Sequence, residues 1–329
     1  MSIRLFFILI ILSMKVSSQD TFSIVAVDTL TGEIGSAGAS CIDNNAIPGG
    51  AIIISDIIPA RGAIHTQSYW VSANQVNAHN RMVLGDSPQE IIDWLVANDV
   101  QNLPGRRQYG IVDVDAEGNP RSAAFTGADC FNWKGHKTGP NFSIQGNILL
   151  GEQIINDMEA GFLQTEGTLS DKLMAALQGA KVAGADTRCL NEGVSSLSAF
   201  IRMARPEDDP DSLYLDLNVP VTPFGVEPID ELQELYDEWK QLVAVRTIQD
   251  RVDFAVEYFS EMKVVTINPS HVDEPYRWTL YNSEGKVIHQ PATAKGNISI
   301  RMNSYSAGLY IINISNSKHQ SLSFKFVIH

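Results

Sequence analysis

The stretch TFSIVAVD at Thr21–Asp28 is followed, after a Thr-Gly turn signal, by IGSAGASC at Ile34–Cys41. The first stretch carries apolar residues at alternating and adjacent positions, as expected of a strand with two buried faces. The second stretch consists largely of Gly, Ala and Ser. Small side chains on a strand let another layer of the protein approach closely. The two stretches therefore predict neighbouring strands on which a further layer packs.

Outward from this pair, strands and helices follow in groups. A helix is predicted from Ser87, because Ser87, Pro88 and Glu90 form a capping box with proline in the first turn. Two more helices are predicted between the strands at 142–148 and 198–204. The remaining predicted strands of this region are 51–58, 62–69, 109–114, 121–126 and 212–217. Grouped strands favour an α+β fold over a doubly wound α/β sheet.

The C-terminal third has a different pattern. Prolines at 220, 223 and 228 mark a loop, and apolar residues from 229 to 263 recur at helical spacing. We interpret 229–263 as a connecting or docking helix, with a partner-binding helix as the alternative. Short strands separated by turn signals fill residues 264–329 and predict a small all-β sandwich.

The N-terminus predicts export. Arg4 precedes an apolar run from Leu5 to Met14, and small residues follow up to Ser18. This pattern is typical of a secretory signal peptide of residues 1–18, with an uncleaved anchor as the alternative. An exported protein meets oxidising conditions, so one pair among three cysteines is expected to form a disulfide. The pairing among Cys41, Cys130 and Cys189 stays open.

Composition and absent motifs narrow the function. The 329 residues include 38 acidic and 24 basic side chains, a net charge of −14 that argues against nucleic-acid binding. A mean hydropathy of −0.05 argues against a multispanning membrane protein. The sequence contains no phosphate loop, dinucleotide fingerprint, Gly-x-Ser-x-Gly elbow or His-Glu-x-x-His helix. Its histidines form no metal-binding pattern, so we expect neither a cofactor nor a metal ion.

Residues 264–329 resemble the C-terminal sorting domain of the type IX secretion system. The features that carry the resemblance are Asn268-Pro269-Ser270, the hairpin at 280–287 (LYNSEGKV) and the segment 306–311 (SAGLYI). The resemblance implies that the secretion machinery is a partner and that the protein is released or held at the cell surface. The alternative is an ordinary appended sandwich that binds a partner.

Residues 21 to about 240 resemble the family called domain of unknown function 1028. The matching features are Thr21–Ala26, Thr31–Gly35, Ala39–Cys41, Gly62-Ala63, Thr66-Gln67, Thr126-Gly127, Cys130, Trp133–Pro140, Gln145–Asn147 and Gly184–Cys189. That family is similar in fold to the N-terminal-nucleophile hydrolases. The resemblance implies a four-layer αββα sandwich over residues 19–228 and, at most, a class of reaction.

An N-terminal-nucleophile hydrolase attacks with its first residue, whose own α-amine acts as the general base. Thr21 begins the first predicted strand and is our candidate nucleophile. Asn147 is our candidate donor to the oxyanion, although it could equally be a turn residue. The predicted cleavage after Ser18 leaves two residues, Gln19 and Asp20, before Thr21. Thr21 therefore needs a further cleavage to gain a free amine, and is otherwise a structural residue.

Weaker candidates for contact with a substrate are Gln67, His136, Ser40, Asp186 and Arg188. Asp186 and Arg188 could instead form an ion pair that orders a loop, and His65 is interpreted as a structural histidine.

Two hypotheses for the function follow. The first is a secreted hydrolase of an amide bond in a peptide, a peptidoglycan fragment or a small acyl amide. The second is a cell-surface binding protein without catalysis, which the missing lysine between Lys15 and Lys134 favours. The oligomeric state stays open.

Overall fold

A computed structural model describes residues 21–250, 254–260, 262–269, 273–283, 285–316 and 321–328. The predicted signal peptide at 1–18 lies outside the described residues. The chain divides between Tyr236 and Asp237 into two compact units, each described by itself below.

The first unit contains two antiparallel sheets. The strands of this unit are β1 (Thr21–Asp28), β2 (Glu33–Ser40), β3 (Ser55–Ile58), β4 (Gly62–Gln67), β5 (Gln108–Val114), β6 (Pro120–Thr126), β7 (Gly135–Gly139), β8 (Phe142–Gly146), β9 (Ser198–Ala204) and β10 (Leu215–Val219). The first sheet has the order β10-β9-β2-β1-β8-β7, and the second has the order β3-β4-β5-β6. The stretches TFSIVAVD and IGSAGASC form most of β1 and β2, the central pair of the first sheet, with Thr21 paired to Ser40.

Two pairs of helices cover the sheets. Helices α1 (Ser72–Leu84) and α2 (Pro88–Ala97) pack on the second sheet. Helices α3 (Gln153–Gln164) and α4 (Leu169–Gly179) pack on the first sheet. Gly35 in β2 shows why this strand is made of small residues: a Cβ added there would lie 2.3 Å from Cδ1 of Leu173 in α4. The close approach of a further layer is confirmed.

The two sheets also pack against each other. Alternate residues of a strand point to opposite faces, so β1 turns one set of side chains to the helices and the other to the second sheet. An apolar cluster fills one end of the space between the sheets. Its buried members are Val25, Val27, Ile34 and Ala204 from the first sheet and Ile57, Ala63 and Val112 from the second.

Helix α2 starts as predicted. The Ser87 side chain accepts from the Glu90 backbone N–H, and the Glu90 side chain accepts from the Ser87 backbone N–H. The predicted strand at 51–58 is partly wrong, because a 3₁₀ helix occupies Gly50–Ile54 and the strand begins only at Ser55. Two further 3₁₀ helices lie at Pro104–Arg106 and Thr187–Glu192.

Helix α5 spans Pro228–Asp250. Its first turns belong to the first unit, where Ile229, Leu232 and Tyr236 are buried. The predicted continuation of this helix to residue 263 is wrong. Phe254–Phe259 is a strand, β11, whose alternating residues are the more buried ones. Aromatic residues four apart, such as Phe254 and Tyr258, also fit a strand with a period of two.

The second unit continues with β12 (Val264–Pro269), β13 (Tyr276–Asn282), β14 (Val287–Ala294), β15 (Ile298–Arg301), β16 (Gly308–Asn316) and β17 (Ser321–Ile328). These strands form a sheet of order β11-β12-β15 and a sheet of order β14-β13-β16-β17. Buried residues of both sheets join in one hydrophobic cluster that includes Val265, Trp278 and Ile312. The predicted β-rich C-terminal part is confirmed. Among the described residues, each helix is too short or too polar to span a lipid bilayer.

Candidate functional site

The space between the two sheets of the first unit changes from apolar to polar along the strands. At the end where β1 begins and where β4 and β8 end, buried polar side chains replace the aliphatic ones. We call this set the polar cluster; its members are Thr21, Ser23, Ser36, Ser55, His65, Gln67, Gln108, Ser143, Gln145 and Asn147. Buried polar groups are costly unless they are hydrogen-bonded. Buried polar atoms of the cluster that have no hydrogen-bond partner are therefore informative.

Thr21 is the first residue of β1 and is 1% exposed. Its carbonyl oxygen accepts from the Asn147 backbone N–H, with N and O 3.2 Å apart, and from Nε2 of Gln67 at 3.1 Å. Its hydroxyl Oγ1 has no hydrogen-bond partner among the described residues. The backbone of Thr21 is thus fixed by hydrogen bonds, whereas its hydroxyl is uncommitted among the described residues.

Gln67 and Gln108 link the two sheets at this position. Gln67 accepts from Ser23 Oγ at 2.6 Å and donates through Nε2 to Gln108 Oε1 at 2.8 Å. Gln108 Oε1 also accepts from Nδ2 of Asn147 at 3.0 Å. The predicted residues Thr21, Gln67 and Asn147 are therefore brought together.

Asn147 follows the last residue of β8 and is fully buried. Its side-chain nitrogen is bonded to Gln108, whereas its Oδ1 has no hydrogen-bond partner among the described residues. The next residue, Ile148, has a φ of 54°. The left-handed region is unfavourable for a β-branched residue, and such local strain is often found at functional sites.

His65 lies deeper in the polar cluster. Its Nε2 is 2.6 Å from Ser36 Oγ, and its Nδ1 is 3.2 Å from Nε2 of Gln145. Burial, with a smaller effect of the Arg202 charge, lowers its pKa to about 3. His65 is therefore neutral at physiological pH and hydrogen-bonded on both ring nitrogens.

His136 lies on the exposed surface of β7. Its Nδ1 is 2.8 Å from Oγ1 of Thr126, which in turn accepts from Nε2 of Gln108 at 2.8 Å. Partial desolvation lowers the pKa of His136. A continuous chain of hydrogen bonds thus connects this surface histidine, through Thr126 and Gln108, with Gln67 and Asn147.

Ser40 is buried on the same face of the first sheet as Thr21, and Asp186 and Arg188 lie next to the residue that follows it. Ser40 pairs with Thr21 across the first sheet, and the next residue, Cys41, forms a disulfide with Cys189. The Asp186 carboxylate is fully buried, accepts from the Cys41 backbone N–H at 2.9 Å and pairs with Arg188 at 2.6 Å.

The disulfide settles the cysteine pairing that the sequence left open. Cys130 remains a thiol, buried, with its Sγ 3.3 Å from the Arg107 carbonyl oxygen. The backbone N–H of Thr187 donates to the Ile148 carbonyl. Through these bonds, the Cys189 loop is tied to the end of β2, where Ser40 pairs with Thr21, and to the residue after Asn147.

Sequence reasoning did not identify Gln108, which holds this site together. A lone glutamine at the start of a strand belongs to no motif. Gly110, two residues further along β5, gives an indirect signal. A Cβ there would lie 1.8 Å from Oε1 of Gln145. Glycine at this position therefore leaves the space in which the Gln145 side chain packs against β5.

The buried ion pair between Arg107 and Asp99 was also not predicted. Arg107 Nε lies 2.7 Å from Asp99 Oδ2, and both side chains are almost fully buried. Burial would raise the pKa of Asp99, but the hydrogen bonds from Arg107, the Leu103 backbone and Asn74 hold it well below its ordinary value. Arg107 also donates to the Tyr69 carbonyl, two residues after Gln67, so the pair fixes the chain that leaves β4.

Within the described part of the chain, no group of three or more His, Cys, Asp or Glu residues is placed to hold a metal ion.

Comparison with known families agrees with both resemblances. Residues 21–232 match the model of a family of unknown function, DUF1028, and residues 261–329 match a secretion system C-terminal sorting domain. The sorting domain implies interaction with the type IX secretion machinery. The protein is therefore exported, to be secreted or held at the cell surface.

Among solved structures, protein SPO2555 from Silicibacter pomeroyi, also assigned to DUF1028, is similar over 67% of this chain and 88% of its own. It is 24% identical with a TM-score of 0.52, which indicates a shared fold. An immunoglobulin-like β-sandwich protein of the DUF3244 family from Bacteroides vulgatus covers 24% of this chain and 87% of its own. Its identity of 16% and TM-score of 0.22 are too low to support a conclusion. No curated protein sequence matches this chain.

Proposed function

The chain belongs to the DUF1028 family of unknown function, and we propose that this member is a secreted N-terminal-nucleophile hydrolase that cleaves an amide bond. One observation carries the proposal. The hydroxyl of Thr21, buried at the start of β1 within the polar cluster, has no hydrogen-bond partner among the described residues. A buried hydroxyl without a partner is unfavourable unless a ligand or a reaction uses it.

The layer order supports the proposal. Helices α3 and α4 pack on the first sheet, the first sheet packs on the second, and α1 and α2 pack on the second. This is the order expected of the four-layer αββα sandwich of N-terminal-nucleophile hydrolases. In that fold the nucleophile begins a central strand, which is the position of Thr21 in β1.

The proposed reaction requires Thr21 to be the first residue of the mature protein. Its Oγ forms a bond to the substrate's carbonyl carbon while its proton passes to the α-amine. The amine suits this task, because its ordinary pKa lies near 8. The proton then goes to the departing nitrogen, and the C–N bond breaks to leave an ester on Thr21. Water, deprotonated by the same amine, hydrolyses that ester.

Asn147 is the proposed oxyanion donor. An amide NH₂ group has two hydrogens, and one bond from Nδ2 of Asn147, to Gln108, is seen. The second hydrogen is the proposed donor to the developing oxyanion. The fixed position of Asn147, between Gln108 and the strained Ile148, is the preorganisation that such a donor needs. The substrate is an amide in a peptide, a peptidoglycan fragment or a small acyl amide.

A second candidate is a cell-surface binding protein that retains the fold without catalysis. It is favoured by the bonding of Gln67, whose amide oxygen and nitrogen are both used within the protein. It is also favoured by the sequence, which has no lysine between Lys15 and Lys134. Under this hypothesis the polar cluster binds a ligand and Thr21 is structural.

The first test is the N-terminal residue and intact mass of the mature secreted protein. The hydrolase hypothesis predicts a start at Thr21. It also predicts that a hydroxyl-directed acylating probe labels the protein, and that the labelling is lost in Thr21→Ala and kept in Thr21→Ser.

Thr66→Ala is the matched control. Thr66 is also buried and its Oγ1 also has no partner among the described residues. However, it is adjacent to Gln67 in β4 and so points to the opposite face of the second sheet, away from the polar cluster. Thr66→Ala should therefore label like the wild type. A mature start at Gln19 removes the required amine, and the binding hypothesis then replaces the hydrolase.

A further inference from the structure

The orientation of the Gln108 amide is fixed by the backbone. Its Nε2 lies 2.8 Å from the Gly146 carbonyl oxygen and 3.1 Å from the Gly135 carbonyl oxygen. Carbonyl oxygens only accept hydrogen bonds, so the nitrogen of Gln108 must face them. Its Oε1 therefore faces Gln67 and Asn147.

This orientation determines that of Asn147. Because Gln108 presents an oxygen 3.0 Å from the Asn147 amide, Asn147 must present its nitrogen there. The opposite orientation would bring two amide oxygens together. Oδ1 of Asn147 is consequently directed away from Gln108, and it is a buried acceptor without a partner among the described residues. An unsatisfied buried acceptor costs about 1–3 kcal/mol, which a donor from a ligand would recover.

The polar cluster also limits the charge of that donor. Its members are serines, threonine, glutamines, asparagine and one histidine, with no carboxylate, lysine or arginine. The buried Asp186 carboxylate beside the cluster is already paired with Arg188, so a ligand ammonium ion would meet no uncommitted opposite charge, which is unfavourable. A neutral N–H meets no such cost.

We infer that Oδ1 of Asn147 accepts a hydrogen bond from a neutral N–H of the ligand, so that the site selects primary and secondary amides over tertiary amides and esters. The inference rests on the proposed function in taking this ligand to be the substrate. In a primary amide one N–H lies on the same side as the carbonyl oxygen, so Asn147 can contact both, the carbonyl through its nitrogen and the N–H through its oxygen. In a trans secondary amide the N–H points away from the carbonyl oxygen, so the Oδ1 contact is made alone. This makes it a specificity-determining residue as well as an oxyanion donor.

The test measures binding without turnover. The full-length secreted protein carrying Thr21→Ala and ¹⁵N-labelled asparagine is titrated with four small probes. Acetamide and N-methylacetamide carry an N–H, whereas N,N-dimethylacetamide and methyl acetate do not. The readout is the NMR signal of the Asn147 side-chain NH₂ group, assigned by its loss in Asn147→Ala. We expect saturable shifts with the first two probes and binding of the other two weaker by about tenfold, the factor for one buried hydrogen bond.

Asn218→Ala is the matched control. Asn218 likewise donates through Nδ2, to the Gly49 carbonyl, and has an Oδ1 without a partner among the described residues, but it lies in β10 outside the polar cluster. This variant should keep the preference. The comparison of probes uses Asn147 itself, and variants serve only to assign its signal. Asn147→Asp, which keeps the shape of the side chain without an NH₂ group, is the second assignment variant.

Equal binding of all four probes, or saturable binding of none, overturns the inference. The result is separable from the hydrolase proposal. A preference for N–H together with a mature start at Gln19 would retain the amide site and remove the catalysis. A start at Thr21 without the preference would do the reverse.

Discussion

At the scale of single residues, His65 makes stability depend on pH. Its pKa of about 3 in the folded protein, set first by burial and then by the Arg202 charge, lies below the ordinary value of about 6.5. Between these values the unfolded chain binds a proton that the folded chain does not. Lowering the pH below about 6.5 therefore reduces the free energy of unfolding, by up to about 1.4 kcal/mol per pH unit from this residue.

The measurement is urea unfolding of the wild type and of His65→Gln between pH 7.5 and 5. We expect the wild type to lose more stability over this range than the variant does. His79→Gln removes a surface histidine that pairs with Asp56, and should keep the larger loss seen in the wild type. Equal losses in the wild type and His65→Gln would show that His65 does not account for the change of stability with pH.

Site residues that lie in a characteristic stretch of sequence could be predicted, whereas a site residue outside such a stretch could not. Thr21, Gln67 and Asn147 were chosen from short stretches of sequence, and the structure places them in contact around one carbonyl. Gln108 could not be predicted, because its role depends on carbonyls of two other strands. Such contacts depend on how the two sheets pack against each other, which local sequence does not encode.

At the scale of elements, predictions succeeded where pattern and caps agreed. Strand β9 has the predicted limits, and α2 begins with the predicted capping box. Helix α1 was not predicted, because SANQVNAHNRMVL is mostly polar and its first turn has no side-chain cap. It is held by the few residues that it buries, Asn74, Ala78 and Met82, against the second sheet. Tertiary packing here overrides a weak local signal.

The disulfide is the covalent link between distant elements of the first unit. It joins the residue after β2 to the 3₁₀ helix at Thr187–Glu192, across a sequence separation of 148 residues. Closing so long a loop restricts the unfolded chain, so removing the bond should lower the free energy of unfolding by about 2–5 kcal/mol. The double variant Cys41→Ala/Cys189→Ala should show this loss in urea unfolding, and a reductant should not destabilise it further.

Cys130→Ser is the control for this prediction. Serine keeps a donor near the Arg107 carbonyl, and the Cys41–Cys189 bond stays intact. This variant should still lose stability when the reductant is added. If the reductant destabilised the double variant as much as the wild type, the effect would arise outside the disulfide.

At the scale of the whole molecule, the chain combines two compact units. Among the described residues, the clusters around Met82 and around Val25 are made of residues before Asp237, and the cluster around Val265 is made of residues after it. The sequence predicted a β-rich C-terminal part, because helical spacing gives way to short strands there. It placed the change of pattern too late, at 263, for the reason given for β11.

Because each unit has its own core, removing most of the second should affect export and not the folding of the first. Deleting residues 261–329, which match the sorting domain, should retain the protein inside the cell envelope of a host with type IX secretion. Fractionation and immunoblotting would measure this, with the full-length chain in the same host as control. The retained protein should still contain the Cys41–Cys189 disulfide and melt near the temperature of the first unit in the full chain. Undiminished release of the truncated chain would show that the export signal lies in the first unit instead.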